Sequence, residues 1–282
     1  MPLSHLFPTE FSPDGPGDDE VLLAARSLGV VGSAQGMLWR ELSNPLVDVQ
    51  RVDRVLRADP VIAARVLKVA NSAFYRHAGQ IGTIDKALLT LGFDGVRGIS
   101  AAVGLARMGG RSLQGAALAA HSVAVASIAQ DVAVTAGLSC AGEAFLAGLL
   151  HDIGLLVEWK LVAQRVAARQ PPMPVDPMRH SRLGAVVLAA WQVPLEVSRA
   201  VVSHHELPAA TALIDQTATC VRAAHVVCAA NGMGLPDDGP AQPSSESHAV
   251  EFAAIGLDQE TWPDFERRAV ARAQQLRAEI LA

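Results

Sequence analysis

A histidine and an aspartate stand side by side at the end of an apolar stretch of this chain. Residues 143–152 read Glu-Ala-Phe-Leu-Ala-Gly-Leu-Leu-His151-Asp152, and such small and apolar residues have to be buried. Burying an imidazole and a carboxylate costs several kcal/mol, roughly, unless a metal, a proton or hydrogen-bond partners compensate. The doublet is therefore the first candidate for chemistry.

Six of the nine histidines lie between residues 121 and 225, within or at the ends of predicted helices. They are His121, His151, His180, His204, His205 and His225. A neutral imidazole nitrogen binds borderline metals, and a carboxylate beside it can bridge two ions. Convergence of these helices on Asp152 would build a mononuclear or dinuclear site. The alternative, which spacing alone does not exclude, is a set of core histidines with ordinary hydrogen-bond partners.

Composition narrows the classes of function. The chain has 282 residues, 50% of them hydrophobic, a net charge of −5 and only 4% aromatic residues. Because no cluster of Lys and Arg occurs, direct binding of nucleic acid is not expected. The three cysteines, Cys140, Cys220 and Cys228, are widely spaced among apolar residues, which predicts inert core thiols rather than a disulfide framework.

The chain is also expected to be soluble and cytoplasmic. We find no apolar run that approaches the roughly 18 uncharged residues of a membrane helix. The first residues, with their Pro, Asp and Gly, lack the basic and apolar regions of a signal peptide. A membrane is therefore not among the expected partners.

The elements that would position the histidines are all helices, since no segment shows convincing strand alternation. Asp59-Pro60 predicts a helix start, with Ile62, Val66 and Val69 as its apolar stripe. Thr83 is expected to cap another helix that ends at Gly92. Ser112 is expected to cap a long helix with His121 in its apolar stripe, and three further helices are predicted at about 177–191, 194–205 and 212–230.

These patterns predict five segments. The segments are a disordered lead at 1–18, an N-terminal helical subdomain at 19–110, a second helical subdomain at 111–232, a loop at 233–258 and a C-terminal helix at 259–282.

Motifs in both halves resemble those of one known family. Ala-Gly-Leu-Leu-His151-Asp152-Ile-Gly154 is similar to the signature of the HD superfamily of metal-dependent phosphohydrolases. The first half narrows this to the HDOD branch, through the segments Asp59–Tyr75 and Ile81–Gly92. The second half agrees through His180-Ser-Arg-Leu-Gly, Trp191-Gln-Val-Pro and His204-His205-Glu. The resemblance spans about residues 20–230 and implies an all-α fold, in which an N-terminal helical bundle packs on a C-terminal HD-type helical domain.

The resemblance also implies a ligand set. His121, His151 and Asp152 match the first three metal ligands of catalytic HD proteins, and His225 stands where those proteins have an aspartate. Histidine still binds Fe, Zn, Ni or Mn, but the lost charge weakens the attraction for hard ions such as Mg²⁺. In the related HD-GYP phosphodiesterases a second ion is held by residues that correspond here to Asp152, His180, His204 and His205.

Two departures from the phosphodiesterases weigh against catalysis. Leu155 occupies the position of a lysine that suits a substrate phosphate, and the Gly-Tyr-Pro loop expected after His205 is absent. A phosphodiester site needs cationic groups to meet the developing charge. Arg182 is the nearest candidate, although it could equally lie on the surface.

The resemblance leaves three functional interpretations. The first is a regulatory or adaptor protein of bacterial signal transduction that contacts signalling proteins and has a vestigial, structural or sensory metal site. The second is a metal-dependent phosphohydrolase acting on a nucleotide or cyclic dinucleotide, with Asp152 at its catalytic centre. The third is a polar core without metal. No organic cofactor is expected, and the oligomeric state stays open.

A surface in the first half has two interpretations. Asn71, Ser72, Phe74 and Tyr75 follow the helix that starts at Pro60. They either close that helix and pack its end, or form a docking site for a partner near the groove between the halves.

Overall fold

The computed structural model describes residues 18–26, 28, 48–72, 75, 81–110, 112–191, 193–205, 215–235 and 262–281. Every regular element in these ranges is a helix, which confirms the predicted all-α class. Residues 1–17 of the predicted lead, Phe74 and residues 236–258 of the predicted loop lie outside the described residues.

The helices begin and end close to the predicted positions. They are α1 Asp18–Arg26, α2 Val49–Arg57, α3 Pro60–Ala70, α4 Ile84–Met108, α5 Leu113–Thr135, α6 Ala141–Leu150, α7 Gly154–Ala167, α8 Arg179–Ala190, α9 Leu195–Ser203, α10 Gln216–Ala230 and α11 Trp262–Leu281. Asp59 caps α3 by accepting hydrogen bonds from the backbone N–H groups of Val61 and Ile62, and Ser112 caps α5 through the N–H of Gly115.

α4 differs from its prediction at Thr83 and extends beyond the helix end predicted at Gly92. Thr83 precedes the helix, but its side chain makes no capping hydrogen bond. Gly92 has non-helical backbone angles, with a φ of +69° and a ψ of 172°. The first part of α4 therefore ends at Gly92 as predicted, and a second helical part follows across a kink and continues to Met108. Residues 96–105 after the kink are mostly buried, so packing supports a continuation that the local signal does not predict.

α5 is the central helix, and it packs against α4, α6, α10 and α11. Residues 121–129 are all buried, so the helix is enclosed on every side rather than along one stripe. α4 and α5 are both long and apolar enough to cross a membrane by length and composition. The expectation that the chain holds no such run is therefore wrong. In α5, 72% of the apolar window is buried inside the protein, which accounts for its composition.

The two ends of the described chain pack against distant parts of it. α1 lies on α7 and α8, although it precedes α2 to α4 in sequence. α11 lies against α3, α4 and α5, where Arg272 forms an ion pair with Asp131 of α5 and Lys68 of α3 donates to the carbonyl of Ala278. The division at residues 110 and 111 stays a prediction.

Gly154 sets how closely α7 approaches α8. A Cβ at this position would lie 1.9 Å from the carbonyl oxygen of His180 and 2.6 Å from the backbone nitrogen of Gly184. Both atoms belong to the backbone of α8, so a side chain at Gly154 would force the two helices apart. The position of His180 therefore depends on the absence of a Cβ at residue 154.

We expect Gly154→Ala to lower the free energy of unfolding by about 3 kcal/mol or more, at the upper end of overpacking effects. Denaturant unfolding measures the change. Gly82→Ala is the matched control, because nothing lies within 4 Å of a Cβ at that position. Equal stabilities of the two variants would contradict the prediction.

Candidate metal centre

The His151-Asp152 doublet lies at the junction of two helices. α6 ends at Leu150, and α7 begins at Gly154. His151 is fully buried, and Asp152 is 2% exposed. The buried residues of α6 anchor the junction in the core, so both side chains are held away from water.

The other five histidines reach this doublet from four further helices. His121 lies in the middle of α5, His180 in the first turn of α8, and His225 in α10, while His204 and His205 directly follow α9. Their nitrogens and the Asp152 carboxylate form two groups, and the ligand atoms of each group lie within 4.8 Å of one another. The groups are His121, His151, Asp152 and His225, and Asp152, His180, His204 and His205.

In the first group the histidines face one oxygen of the carboxylate. Oδ2 of Asp152 lies 3.0 Å from Nε2 of His151 and 3.6 Å from Nε2 of His121. These two Nε2 atoms are 3.2 Å apart. The His225 ring completes the group, with its centroid 5.3 Å from that of His121.

In the second group the histidines face the other oxygen. Oδ1 of Asp152 lies 3.5 Å from Nε2 of His180 and 3.6 Å from Nε2 of His204. Nε2 of His205 is 3.0 Å from Nε2 of His180. Asp152 thus stands between the two groups with one oxygen toward each, which is the arrangement of a bridging ligand.

Backbone carbonyls fix the protonation of three imidazoles. The Nδ1–H groups of His121, His151 and His204 donate to the carbonyl oxygens of Met233, Gly148 and Val201 at 2.7, 2.8 and 2.7 Å. In a neutral ring the Nε2 atom then carries a lone pair. Three lone pairs therefore point toward a carboxylate, and such electron-rich atoms repel one another unless a cation lies between them.

Some buried polar atoms of the centre lack hydrogen bonds. Asp152 Oδ2 and His204 Nε2 are buried, and neither has a hydrogen-bond partner within the part of the chain that the structure describes. Such orphaned polar groups are rare in a folded protein and cost about 1–3 kcal/mol each. Their position among imidazole nitrogens fits a divalent cation of the borderline class, with His and carboxylate ligands.

Burial and the neighbouring groups set the charges of the ligands. Burial lowers the pKa values of His151 and His204, which favours neutral rings. The centre therefore presents neutral imidazoles, the protonation state in which they bind metals, beside one carboxylate.

The two groups differ in their access to solvent. His121, His151 and Asp152 are buried and His225 is partly exposed, whereas His180 is partly exposed and His205 is exposed. An exogenous ligand would therefore reach the second group more readily than the first.

The arginines near the centre are engaged elsewhere. Arg182 forms an ion pair with Asp176, and Arg179 forms one with Glu158 at 3.0 Å. Leu155, which replaces the expected lysine, packs against the hydrophobic core. Arg182 is thus committed to a carboxylate outside the centre, and the interpretation of Arg182 as a phosphate-binding group gains no support.

The carbonyl groups that orient the histidines were not recognised from the sequence. Those of Gly148 and Val201 lie three residues before His151 and His204, where a histidine at a helix end reaches back into the last turn. This spacing is a usable signal. The carbonyl of Met233 is contributed from 112 residues away, and no local pattern indicates it.

Three of the candidate docking residues of the first half, Asn71, Ser72 and Tyr75, are described, and they face the chain itself. The Asn71 side chain donates to the carbonyls of Leu67 and Ile81 and accepts from the N–H of Ile81. Ser72 is buried, and Tyr75 packs on the core. These contacts support the structural interpretation, and the docking role stays a prediction.

The helical fold and the His/Asp cluster define an HD-type helical protein with a candidate metal centre. The HDOD domain profile matches residues 34–207, which is more than half of the chain. The protein therefore belongs to the HDOD domain family.

Solved structures share the fold. An HDOD domain protein of unknown function from Geobacter sulfurreducens has a TM-score of 0.63 and 23% identity, covering 94% of this chain and 98% of its own. A candidate phosphohydrolase from Shewanella amazonensis SB2B has a TM-score of 0.68 and 22% identity, covering 93% and 98%. A candidate signal transduction protein from Marinobacter aquaeolei VT8 has a TM-score of 0.63 and 19% identity, covering 94% and 65%.

Among curated sequences, a protein of Treponema pallidum (strain Nichols) is 24% identical over 189 residues. The match covers 61% of this chain but only 36% of that relative.

Proposed function

We propose that this protein is a regulator of bacterial signal transduction that acts through contacts with other signalling proteins and holds a metal centre bridged by Asp152. The observation that carries the metal centre is the orientation of His121, His151 and His204. Their Nδ1–H groups are tied to carbonyls, so their Nε2 lone pairs converge on one buried carboxylate. A divalent cation between them would accept the Nε2 lone pairs and neutralise the carboxylate. These groups carry too few protons to form hydrogen bonds with one another.

The donor set favours Fe, Zn, Ni or Mn over Mg²⁺. Each group offers three imidazoles, and the two share a single carboxylate. Mg²⁺ prefers oxygen ligands in an octahedral shell and binds few imidazoles, whereas the transition ions accept imidazole readily. When bound, such a metal would contribute stability to the folded chain and act as a Lewis acid toward an exogenous ligand.

Within the described residues, the arginines around the centre are engaged by other groups of the chain, including Arg222 with the carbonyl of Ser203, and this supports the regulatory role. Leu155 packs on the core where a lysine would meet a phosphate, and Arg179 and Arg182 are paired with carboxylates. A transferred or hydrolysed phosphoryl group develops negative charge that cationic groups must stabilise. The signal-transduction assignment of the Marinobacter protein, which shares the fold, agrees with this role.

A second candidate is a metal-dependent phosphohydrolase acting on a nucleotide or cyclic dinucleotide. The exposure of His205 and the partial exposure of His180 favour it, because a catalytic metal must keep a position open to substrate and water. In this candidate a metal held at Asp152 would lower the pKa of a bound water.

Elemental analysis of protein purified without a histidine tag tests the metal centre. We expect one to two equivalents per chain of Fe, Zn, Ni or Mn, about one for each ligand group, and a melting temperature that rises when the metal is restored to chelator-treated protein. Protein that holds no metal as purified, and whose melting temperature does not change with any of the four ions, would contradict the proposed metal centre and support a polar core without metal.

A hydrolysis screen separates the two roles. Metal-loaded protein is offered nucleoside mono-, di- and triphosphates and cyclic dinucleotides, and release of product is followed by chromatography. The regulatory role predicts no turnover above that of metal-free protein. Turnover that requires the metal and is lost in Asp152→Asn would instead establish the phosphohydrolase.

A further inference from the structure

A buried arginine links α10 to the end of α9. Arg222 lies in α10 and is only 8% exposed. Its Nη1 donates to the backbone carbonyl of Ser203 at 3.0 Å, and its Nη2 donates to the hydroxyl of Thr219, one turn earlier on the same helix, at 3.4 Å. Ser203 is the last residue of α9, and His204 and His205 follow it directly. The guanidinium therefore holds the carbonyl that precedes two ligands of the second group.

This contact satisfies a group that α9 cannot satisfy by itself. The last four carbonyls of a helix have no partner within it, and a cation at this end also meets the negative end of the helix dipole. In α9 the carbonyl of Val201 accepts from Nδ1 of His204, and the carbonyl of Ser203 accepts from Arg222. Two side-chain donors thus fix the end of α9, and one of them comes from another helix.

The same arginine stands close to the first ligand group. Arg222 precedes His225 by three residues on α10, a spacing that places both on one side of a helix. α10 packs against α9 and also against α6, which ends at the His151-Asp152 doublet. One side chain therefore connects the helix that carries a ligand of the first group with the turn that carries two ligands of the second group.

We propose that Arg222 is a positioning residue that holds His204 and His205 in place for the second metal ion. The inference rests on the metal centre proposed above. The first ligand group contains neither of these histidines, so an ion there does not need this turn, whereas an ion in the second group does. Loss of the guanidinium removes no ligand but releases the carbonyl of Ser203. The second site should then weaken roughly tenfold or more, as when other groups that orient metal ligands are removed.

Metal titration of Arg222→Gln tests the positioning role. Chelator-treated protein is dialysed against increasing Zn²⁺, and the bound ions per chain are counted by elemental analysis. We expect wild-type protein to bind two ions. Arg222→Gln should bind the first with unchanged affinity and the second about tenfold or more weakly. Two ions bound as tightly as in the wild type, equal losses of both ions, or a wild-type protein that binds only one would overturn the proposal.

Two further variants sharpen this test. Arg222→Lys keeps the charge with a single donor nitrogen and should show a smaller loss, again confined to the second ion, so it decides the proposal even if Arg222→Gln does not fold. Arg65→Gln is the matched control, because Arg65 also donates from Nη1 to a distant carbonyl, that of Glu279 on α11. This variant loses a bond of the same kind away from the centre and should bind both ions as the wild type does.

Hydrogen exchange measured by mass spectrometry separates this proposal from the metal centre itself. In metal-free protein, Arg222→Gln should speed the exchange of amides in residues 198–205, whereas Arg65→Gln should leave that segment unchanged. If the wild type bound no metal, the proposed centre would fail, and faster exchange in Arg222→Gln would still establish that Arg222 holds the end of α9. Unchanged exchange in this segment would overturn the positioning role whatever the metal content.

Discussion

Asp152→Ala is expected to reduce the metal content of the purified protein from one to two ions per chain to background. Both ligand groups contain this carboxylate, and each of its oxygens faces a different group. Loss of a group that only orients a ligand already costs roughly 10- to 100-fold in affinity. Loss of the bridging anion removes the one negative charge of the centre, so the effect on both sites should be larger.

Asp152→Asn refines this test because it keeps the volume of the side chain and removes its charge. Metal-loaded wild-type protein should have a higher melting temperature than Asp152→Asn treated with the same metal. Without metal this difference in melting temperature should disappear or reverse, because the variant no longer buries a carboxylate without hydrogen-bond partners. A purely structural role for Asp152 predicts instead that the variant is less stable under both conditions.

Asp131→Asn is the matched control for metal content. Asp131 is another largely enclosed carboxylate, on α5, and it pairs with Arg272 rather than with histidines. We expect this variant to lose stability and to keep its metal. Undiminished metal in Asp152→Ala would contradict the assignment of the centre.

His225→Asp is expected to shift metal preference toward Mg²⁺ and Mn²⁺. The substitution doubles the anionic charge of the centre and adds an oxygen ligand in place of an imidazole. A unit charge about 4 Å from an ion is worth about 4 kcal/mol per cationic charge at an effective dielectric constant of 20. Because about 1.4 kcal/mol is tenfold in affinity, even a partly realised effect should tighten Mg²⁺ binding tenfold or more.

Competition titrations measure this shift in preference, with chelator-treated protein, Mg²⁺ and Zn²⁺. His225→Asn is the control, since it offers a neutral oxygen and separates the effect of charge from the effect of donor type. An equal gain of Mg²⁺ affinity in both variants would mean that charge is not the cause. No change in either variant would remove His225 from the ligand set.

Local chemistry in the sequence predicted much of the fold. Asp59-Pro60 and Ser112 define helix starts because their side chains bond to backbone groups only a few residues away. The histidine cluster was predicted in outline for a different reason. Spacing left the convergence of the six histidines open, and the two ligand groups were implied by the resemblance to HD proteins.

Features that depend on distant contacts were not predicted. The first part of α4 ends at Gly92 as its local signal predicts, but no local signal predicted the buried second part that follows the kink. The approach of α6 to α10, which brings the His151-Asp152 doublet near His225, also depends on packing between helices. No periodicity within either helix contains that information.

The packing of α11 has a consequence for the synthesis of the protein. α11 covers parts of α3, α4 and α5, yet it is the last described helix to be made. A nascent chain that has not reached Trp262 exposes the apolar surfaces that Phe265, Ala269 and Ala273 later bury. Domains that await a late segment are prone to association on the ribosome. Ribosome-bound chains stalled before residue 262 should therefore recruit chaperones more strongly than full-length chains held clear of the ribosome by an added C-terminal linker.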